Sequence, residues 1–236
     1  MMMHSECDFA IIGAMDQEIE SFVYHLKESH SHQWNGMVFH QGILFGASVV
    51  IAKCGVGKVL ASMTTQKIID TFHPTKVIFT GVAGALNPKY EIGDIVVAHD
   101  CAQHDVNAAA LGFTRGTIPY TNFRFFKTDE QLRKLAFSAE VKYKIHEGRV
   151  LTGDQFFSSD EMRERQYLVE DLKGDAVEME GAAVAQVCVI HQMPFLLIRT
   201  ISDKADKHSN LNFNEFLPQV AGNSLQIIQH LLKNSR

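Results

Sequence analysis

The sequence predicts an α/β fold: a single domain whose mixed, largely parallel, twisted sheet is flanked by helices. Three observations lead there. Apolar strand-like runs alternate with stretches of helical period along the chain. Several of those runs are continuously apolar, as strands covered on both faces are. No linker, repeat or low-complexity stretch divides the 236 residues, so 1–236 reads as one domain.

Taken in order, "FAIIGAM" is a buried strand ended by a glycine, and "DQEIESFVYHL" follows as a helix with acidic residues in its first turn. "MVFHQGILFGASVVIAKC" alternates and carries glycines where two strands would turn back on each other, which predicts a hairpin. "GKVLASMTTQKIIDTF" is a helix, and "KVIFTGVAG" is a strand that breaks into glycines. "DIVVAHDCAQHDV" is a strand whose second half turns polar; residues 107–127 show no period and read as a long functional or interface loop. A helix over 128–138 leads to the strand "EGRVLTGD", and "SSDEMRERQYLVEDL" opens with Ser158 and Glu161 in capping-box positions. Strand "DAVEM", helix "GAAVAQVCVIH" and strand "FLLIRTISD" come next. The last helix, 212–232, puts Phe213, Phe216, Leu217, Val220, Leu225, Ile228 and Leu232 on one stripe.

Composition narrows the function. Apolar residues make up 46% and charged ones 21%, the balance of a soluble globular protein, and no apolar run approaches a bilayer's thickness. The net charge of −5, with lysines and arginines scattered, offers no footprint for nucleic acid. Four dispersed cysteines read as reduced buried thiols and the twelve histidines as surface residues, "HSHQW" included, so neither a disulfide nor a metal site is expected. The N-terminus lacks the pattern of a signal peptide, which places the expected location in the cytoplasm.

In such folds ligands bind beyond the carboxyl ends of the strands. Those ends carry Met15 and Glu18, Gly81 to Gly84 with Val82 and Ala83 between, Gly153 to Phe157, Glu178 to Glu180, and Ile201 to Asp203. Acidic side chains, Arg199, glycine-rich backbone and the pair Phe156 and Phe157 would share one rim, suited to a neutral, hydroxylated, ring-bearing ligand rather than a phosphate. Each has a bland reading: Glu18 as complement to a helix N-terminus, Asp203 as a cap, the phenylalanines as core. Glu178 and Glu180 resist it, since two carboxylates on one face of a strand repel unless a ligand, an arginine or a proton intervenes. If the chain leaves its strand at Met179 the two diverge, and Glu178 reads as the partner of an arginine such as Arg199.

The ordered segments "IIGAMDQEI", "KCGVGKV", "TGVAGAL", "IGDIVVA", "TGDQFF", "AVEMEGAAVAQVC", "RTISDKAD" and "NFNEF" resemble the bacterial 5'-methylthioadenosine/S-adenosylhomocysteine nucleosidases of the nucleoside phosphorylase superfamily, over about residues 9 to 230. The resemblance implies hydrolysis of the N-glycosidic bond of these nucleosides, and of 5'-deoxyadenosine, by a homodimer that needs no metal or cofactor. It assigns Glu18 to activating water and Asp203, held by Ser202, to protonating the purine N7. Glu180 would bind the ribose hydroxyls, Met179 would line the sugar, and Arg199 would support the water and neighbouring carboxylates. Phe156 would stack on adenine while the Phe157 backbone reads its edge, and Met15, Val56 and Phe213 would form the 5'-thio slot, closed by the partner's loop around Leu111 and Pro119. Val82 stands where some members have serine, and Leu111 where some have phenylalanine.

Two rival activities share the framework: a purine nucleoside phosphorylase and an aminodeoxyfutalosine hydrolase of menaquinone synthesis. A phosphorylase needs cationic or backbone donors around its anion, but the loop after the first strand carries Asp16 and Glu18. A silent nucleoside-binding protein would be expected to lack Glu18 or Asp203, and both are present.

Overall fold

A computed structural model describes residues 7–157, 166–204, 217 and 222–235. The elements are β1 (Cys7–Gly13), α1 (Asp16–His25), β2 (Lys27–Trp34), β3 (Met37–Leu44), β4 (Ala47–Lys53), α2 (Lys58–Phe72), β5 (Pro74–Ala85), β6 (Ile95–Gln103), β7 (Phe126–Lys127), α3 (Glu130–Phe137), β8 (Ile145–Thr152), α4 (Tyr167–Glu170), β9 (Ala176–Glu178), α5 (Gly181–Ile190), β10 (Phe195–Asp203) and α6 (Leu225–Asn234). Strand and helix alternate as the apolar runs predict. The sheet is mixed: β1 pairs in parallel with β4 and β5, β5 with β10, β6 with β8 and β8 with β9, while β2, β3 and β4 form an antiparallel meander.

One closure shapes the site. β5 pairs with β10, β10 with β6, β6 with β8, β8 with β9, and β9 antiparallel with β5 again, so these five strands form a ring. The ring brings the ends of β5, β8, β9 and β10 together, beside the end of β1. β5 can hold three neighbours because it is the longest strand and is buried from Val77 to its end.

Helices cover both faces. On one, Ala61, Ile68 and Phe72 of α2 meet Ala182, Val184, Ala185 and Cys188 of α5 over Ile12, Val50, Phe79 and Leu197. On the other, Ile19 and Phe22 of α1, Leu132 and Ala136 of α3, and Ile227, Ile228, Leu231 and Leu232 of α6 cover Phe9, Ile11, Ile78 and Ile198. Burying a side chain of this size stabilises the fold by about 1.5–3 kcal/mol.

The fold departs from the sequence expectation in three places. "KESHSHQW" is an edge strand, β2, and all but Trp34 of its side chains are exposed, so no alternation announced it. The loop 107–127 holds a 3-10 turn at Ala109–Leu111 and ends in the short strand β7, paired to β6. The last helix is not continuous over 212–232. Residues 222–224 form a turn, where the Asn223 amide donates to the Gly93 carbonyl and the Ser224 and Thr80 hydroxyls hydrogen-bond, and α6 then starts at Leu225 and continues past Leu232. Those side chains satisfy groups of other elements instead of continuing a helix. Ser158, Glu161, Phe213, Phe216 and Val220 lie outside the described residues.

Candidate active site

A cavity of about 230 Å³ opens at the ends of β1, β5, β9 and β10. Ala14, Met15, Glu18, Val56, Val82, Ala83, Gly84, Phe156, Val177, Glu178, Met179, Glu180, Ser202 and Asp203 line it. Most of the side chains named from sequence are therefore brought together. Phe157 faces an adjoining recess that shares Phe156, Met179 and Asp203 with the main cavity, and it packs in a small core of its own with Leu151 and Leu168. Arg199 sits behind the wall rather than in it. Leu111, 65% exposed, and Pro119 do not line this chain's cavity.

Glu18 stands in the first turn of α1 and reaches back over the helix start. Its Oε2 accepts from the backbone N–H groups of Ala14 at 2.6 Å and Met15 at 3.0 Å, and its Oε1 from Val82 at 2.9 Å. The carboxylate therefore both caps the helix and spans from β1 to β5. Only glycine at 81 permits this, since a Cβ there would collide with Oε1 of Glu18 and lie 3.1 Å from Nη1 of Arg199. Glu18 is 3% exposed, and burial pushes its pKa above the usual 4.5 against the opposing pull of Arg199 and the three amides. A carboxylate so poised is a better proton acceptor than an exposed one.

Glu178 and Glu180 diverge, as they must to be buried together. Glu178 ends β9; its Oε2 meets Nη2 of Arg199 at 2.7 Å, and its oxygens accept from the N–H groups of Glu180 and Gly181 and from the Thr152 hydroxyl. Glu180 has left the strand and stands at the N-cap of α5. Its Oε1 accepts from the Gly57 N–H at 2.8 Å, a donor aimed there by a backbone with φ of 99° that glycine adopts without strain. Arg199, 1% exposed, also stacks its guanidinium 4.2 Å from the Phe79 ring centroid, so its place is fixed on two sides.

Burial, and then the neighbouring Glu178, push Glu180 up to about 8. Because the folded value lies above 4.5, the folded state keeps a proton that the unfolded chain has released in between. Its contribution to stability is full below 4.5 and is lost as the pH rises through about 8. The unliganded protein should therefore lose stability across this interval, and Glu180→Gln should flatten the loss. Denaturant titrations at several pH values check it; parallel curves for the two proteins would contradict it.

Asp203 ends β10 at the same cavity. The pairing of β10 with β5 slips between Ile201 and Asp203, which pairs with Gly84. In a regular strand adjacent residues face opposite sides, but this bulge lets both Ser202 and Asp203 face the cavity. The Ser202 hydroxyl donates to Oδ2 of Asp203 at 2.9 Å, and Asp203 is 3% exposed. Phe156, 45% exposed, offers a ring at the mouth, and Met15 and Val56 line an apolar side.

Three contributors escaped sequence reasoning. The Gly57 N–H, the Thr152 hydroxyl and the space at Gly81 are a donor, a brace and an absence of atoms. The glycines of "CGVGK" and "TGVAG" were the available signal. Among the described residues no group of His, Cys, Asp and Glu is placed to hold a metal ion.

The family model described as the phosphorylase superfamily matches residues 8–233. A 5'-methylthioadenosine/S-adenosylhomocysteine nucleosidase of Bacillus cereus is 37% identical over 229 residues, covering 95% of this chain and 97% of its own. Among solved structures, the Neisseria meningitidis nucleosidase of the same name, in complex with methylthio-immucillin-A, superposes with a TM-score of 0.89 at 34% identity, over 96% of this chain and 98% of that one. A futalosine hydrolase of Helicobacter pylori superposes with a TM-score of 0.91 at 36% identity, over 98% and 99%.

Proposed function

From the premise that this chain belongs to the phosphorylase superfamily and, within it, to the 5'-methylthioadenosine/S-adenosylhomocysteine nucleosidases, we propose that it hydrolyses the N-glycosidic bond of these two nucleosides, and of 5'-deoxyadenosine, releasing adenine. The observation that carries the reading is the cavity's lining, acidic side chains with no cation among them. Glu18, Glu178, Glu180 and Asp203 line it, and no lysine, arginine or histidine does among the described residues. A phosphate nucleophile would find no cation lining the cavity, whereas water needs none and can yield its proton to Glu18.

As the bond from C1' to the purine breaks, its electron pair passes to the base, and Asp203 gives a proton to N7. Ser202 steadies that carboxyl. The positive charge left on the ribose faces Glu180, which accepts hydrogen bonds from the 2' and 3' hydroxyls while Met179 borders the sugar. Water adds to C1' and yields its proton to Glu18. Arg199, through Glu178, holds the acidic wall in place. Phe156 stacks on adenine, the Phe157 backbone reads its edge, Met15 and Val56 border the 5'-thio slot, and Val82 stands near the attacking water.

Adenine release in buffer free of phosphate tests the reaction type: the rate should equal that with phosphate added. Dependence on phosphate would make the protein a phosphorylase. The likeness to the futalosine hydrolase favours one further assay, in which methylthioadenosine should be cleaved with a higher kcat/KM than aminodeoxyfutalosine.

The active form is a homodimer in this reading, with Leu111 and Pro119 of one copy closing the slot of the other. Exposed Val59, Leu60 and Met63 on α2, together with Leu111 and Tyr120, support such an interface. Light scattering should give twice 26.4 kDa, and a monomer that is fully active would exclude the arrangement. No helix among the described residues is long and apolar enough to cross a membrane, and all four cysteines are buried free thiols. These support a cytoplasmic enzyme, which cell fractionation checks; activity confined to another fraction would contradict it.

A further inference from the structure

Lys58 opens α2, and its ammonium donates to both oxygens of Asp105 at 2.8 Å each, with Asp154 3.8 Å away. The Asp154 carboxylate accepts from the backbone N–H of Lys58 at 2.9 Å, and the Asp154 N–H donates to Asp105 at 3.1 Å. Three segments remote in sequence thus close into one knot. Burial opposes the charge on Asp105, yet the Lys58 hydrogen bonds and the Asp154 amide outweigh it and hold its pKa below the usual range.

Each segment of the knot adjoins the cavity or its neighbouring recess. Gly57, next to Lys58, supplies the N–H that Glu180 accepts. Asp154 is two residues from Phe156 at the mouth. His104, next to Asp105, lies with its ring centroid 5.3 Å from that of Phe157, and a Cβ on Gly153 would run into the same imidazole. The Tyr167 hydroxyl meets Nδ1 of His104 at 3.2 Å and braces it from behind. The base side and the ribose side of the cavity follow different strands, β8 and β9, which are also joined where the Gly153 N–H donates to the Glu178 carbonyl at 3.1 Å.

We infer that Lys58 is a positioning residue: its ion pair with Asp105 fastens the loop 153–157, which faces the base, to the start of α2, which holds Glu180, and so sets the spacing between the ribose and adenine contacts. The inference rests on the proposed roles of Glu180 and Phe156. A nucleoside of fixed length then binds both ends at once, and loosening the knot leaves their spacing to the β8–β9 pairing alone.

The test compares wild type with Lys58→Met, Lys58→Arg and Asp105→Asn on methylthioadenosine and its 2'-deoxy analogue. Lys58→Met should raise KM about 10-fold with kcat within about threefold. Its preference for the 2'-hydroxyl, as a ratio of kcat/KM values, should shrink by at least about 5-fold, because Glu180 is no longer held to that group. Lys58→Arg should restore most of both, and Asp105→Asn, which keeps the shape, should follow Lys58→Met. Thermal unfolding midpoints should stay within a few degrees, since a partly exposed ion pair adds little to stability. A wild-type KM in Lys58→Met, or a raised KM with the 2'-hydroxyl preference intact, would overturn the inference, as would an arginine variant no better than methionine. Should Lys58→Met not fold, Asp105→Asn decides by the same two readouts. A wild type that releases no adenine would sink the proposed function instead, which keeps the two failures apart.

Discussion

Replacing Asp203 by asparagine is expected to lower kcat for adenine release by about 10² to 10⁴. The cause is the loss of one transferable proton. Asparagine has nearly the same shape, and its carbonyl oxygen can accept the Ser202 hydroxyl as Oδ2 of Asp203 does, so the bulge at the end of β10 should persist. KM should therefore change by no more than about threefold, because the base contacts are kept and only the transition state suffers. Steady-state kinetics on methylthioadenosine measure this. A second substrate sharpens the test: a riboside whose leaving group departs without protonation, such as 4-nitrophenol, should lose far less. Near wild-type adenine release by the variant would remove Asp203 from its role.

Glu18→Gln should cost at least about 100-fold in kcat, since an amide cannot take the proton of the attacking water. Here the structure adds a second expectation. Glu18 accepts from three backbone N–H groups, two on one oxygen and one on the other. Glutamine keeps one acceptor oxygen and replaces the other by an NH₂ donor, so either Val82 or the pair Ala14 and Met15 would face a donor. Leaving a buried donor unsatisfied costs about 1–3 kcal/mol. Glu18→Gln should thus be less stable as well as inactive, while Asp203→Asn should be inactive and stable. Denaturant unfolding beside the kinetics separates the two. Equal stability of both variants would show that the amides above Glu18 can relax, and wild-type turnover by Glu18→Gln would end its assignment as base.

Much of this site is legible in the sequence. Glu18 and Asp203 follow apolar runs, the ends of β1 and β10, where an α/β sheet places its ligand. The doubled glutamates of "VEME" signalled that something must separate two charges, and the Arg199 ion pair with Glu178 is that something. What stayed hidden is long-range. Ring closure through β5 and β10, and β9 back onto β5, depends on pairings that no local period encodes. The bulge that turns Ser202 and Asp203 to one side leaves no mark in "RTISD". β2 was invisible because an edge strand with solvent on its side chains has no apolar face to alternate. The bland reading of Glu18 as a helix cap and the functional one proved compatible, since a single carboxylate caps α1 and borders the cavity.

In the proposed reaction Glu18 and Asp203 act on one and the same nucleoside. A crystal structure with an uncleavable thioadenosine analogue tests it most directly. An Asp203 oxygen is expected within about 3 Å of N7, and a water at C1' within hydrogen-bonding reach of Glu18. An analogue bound with its purine away from Asp203, or with no path from Glu18 to C1', would contradict it.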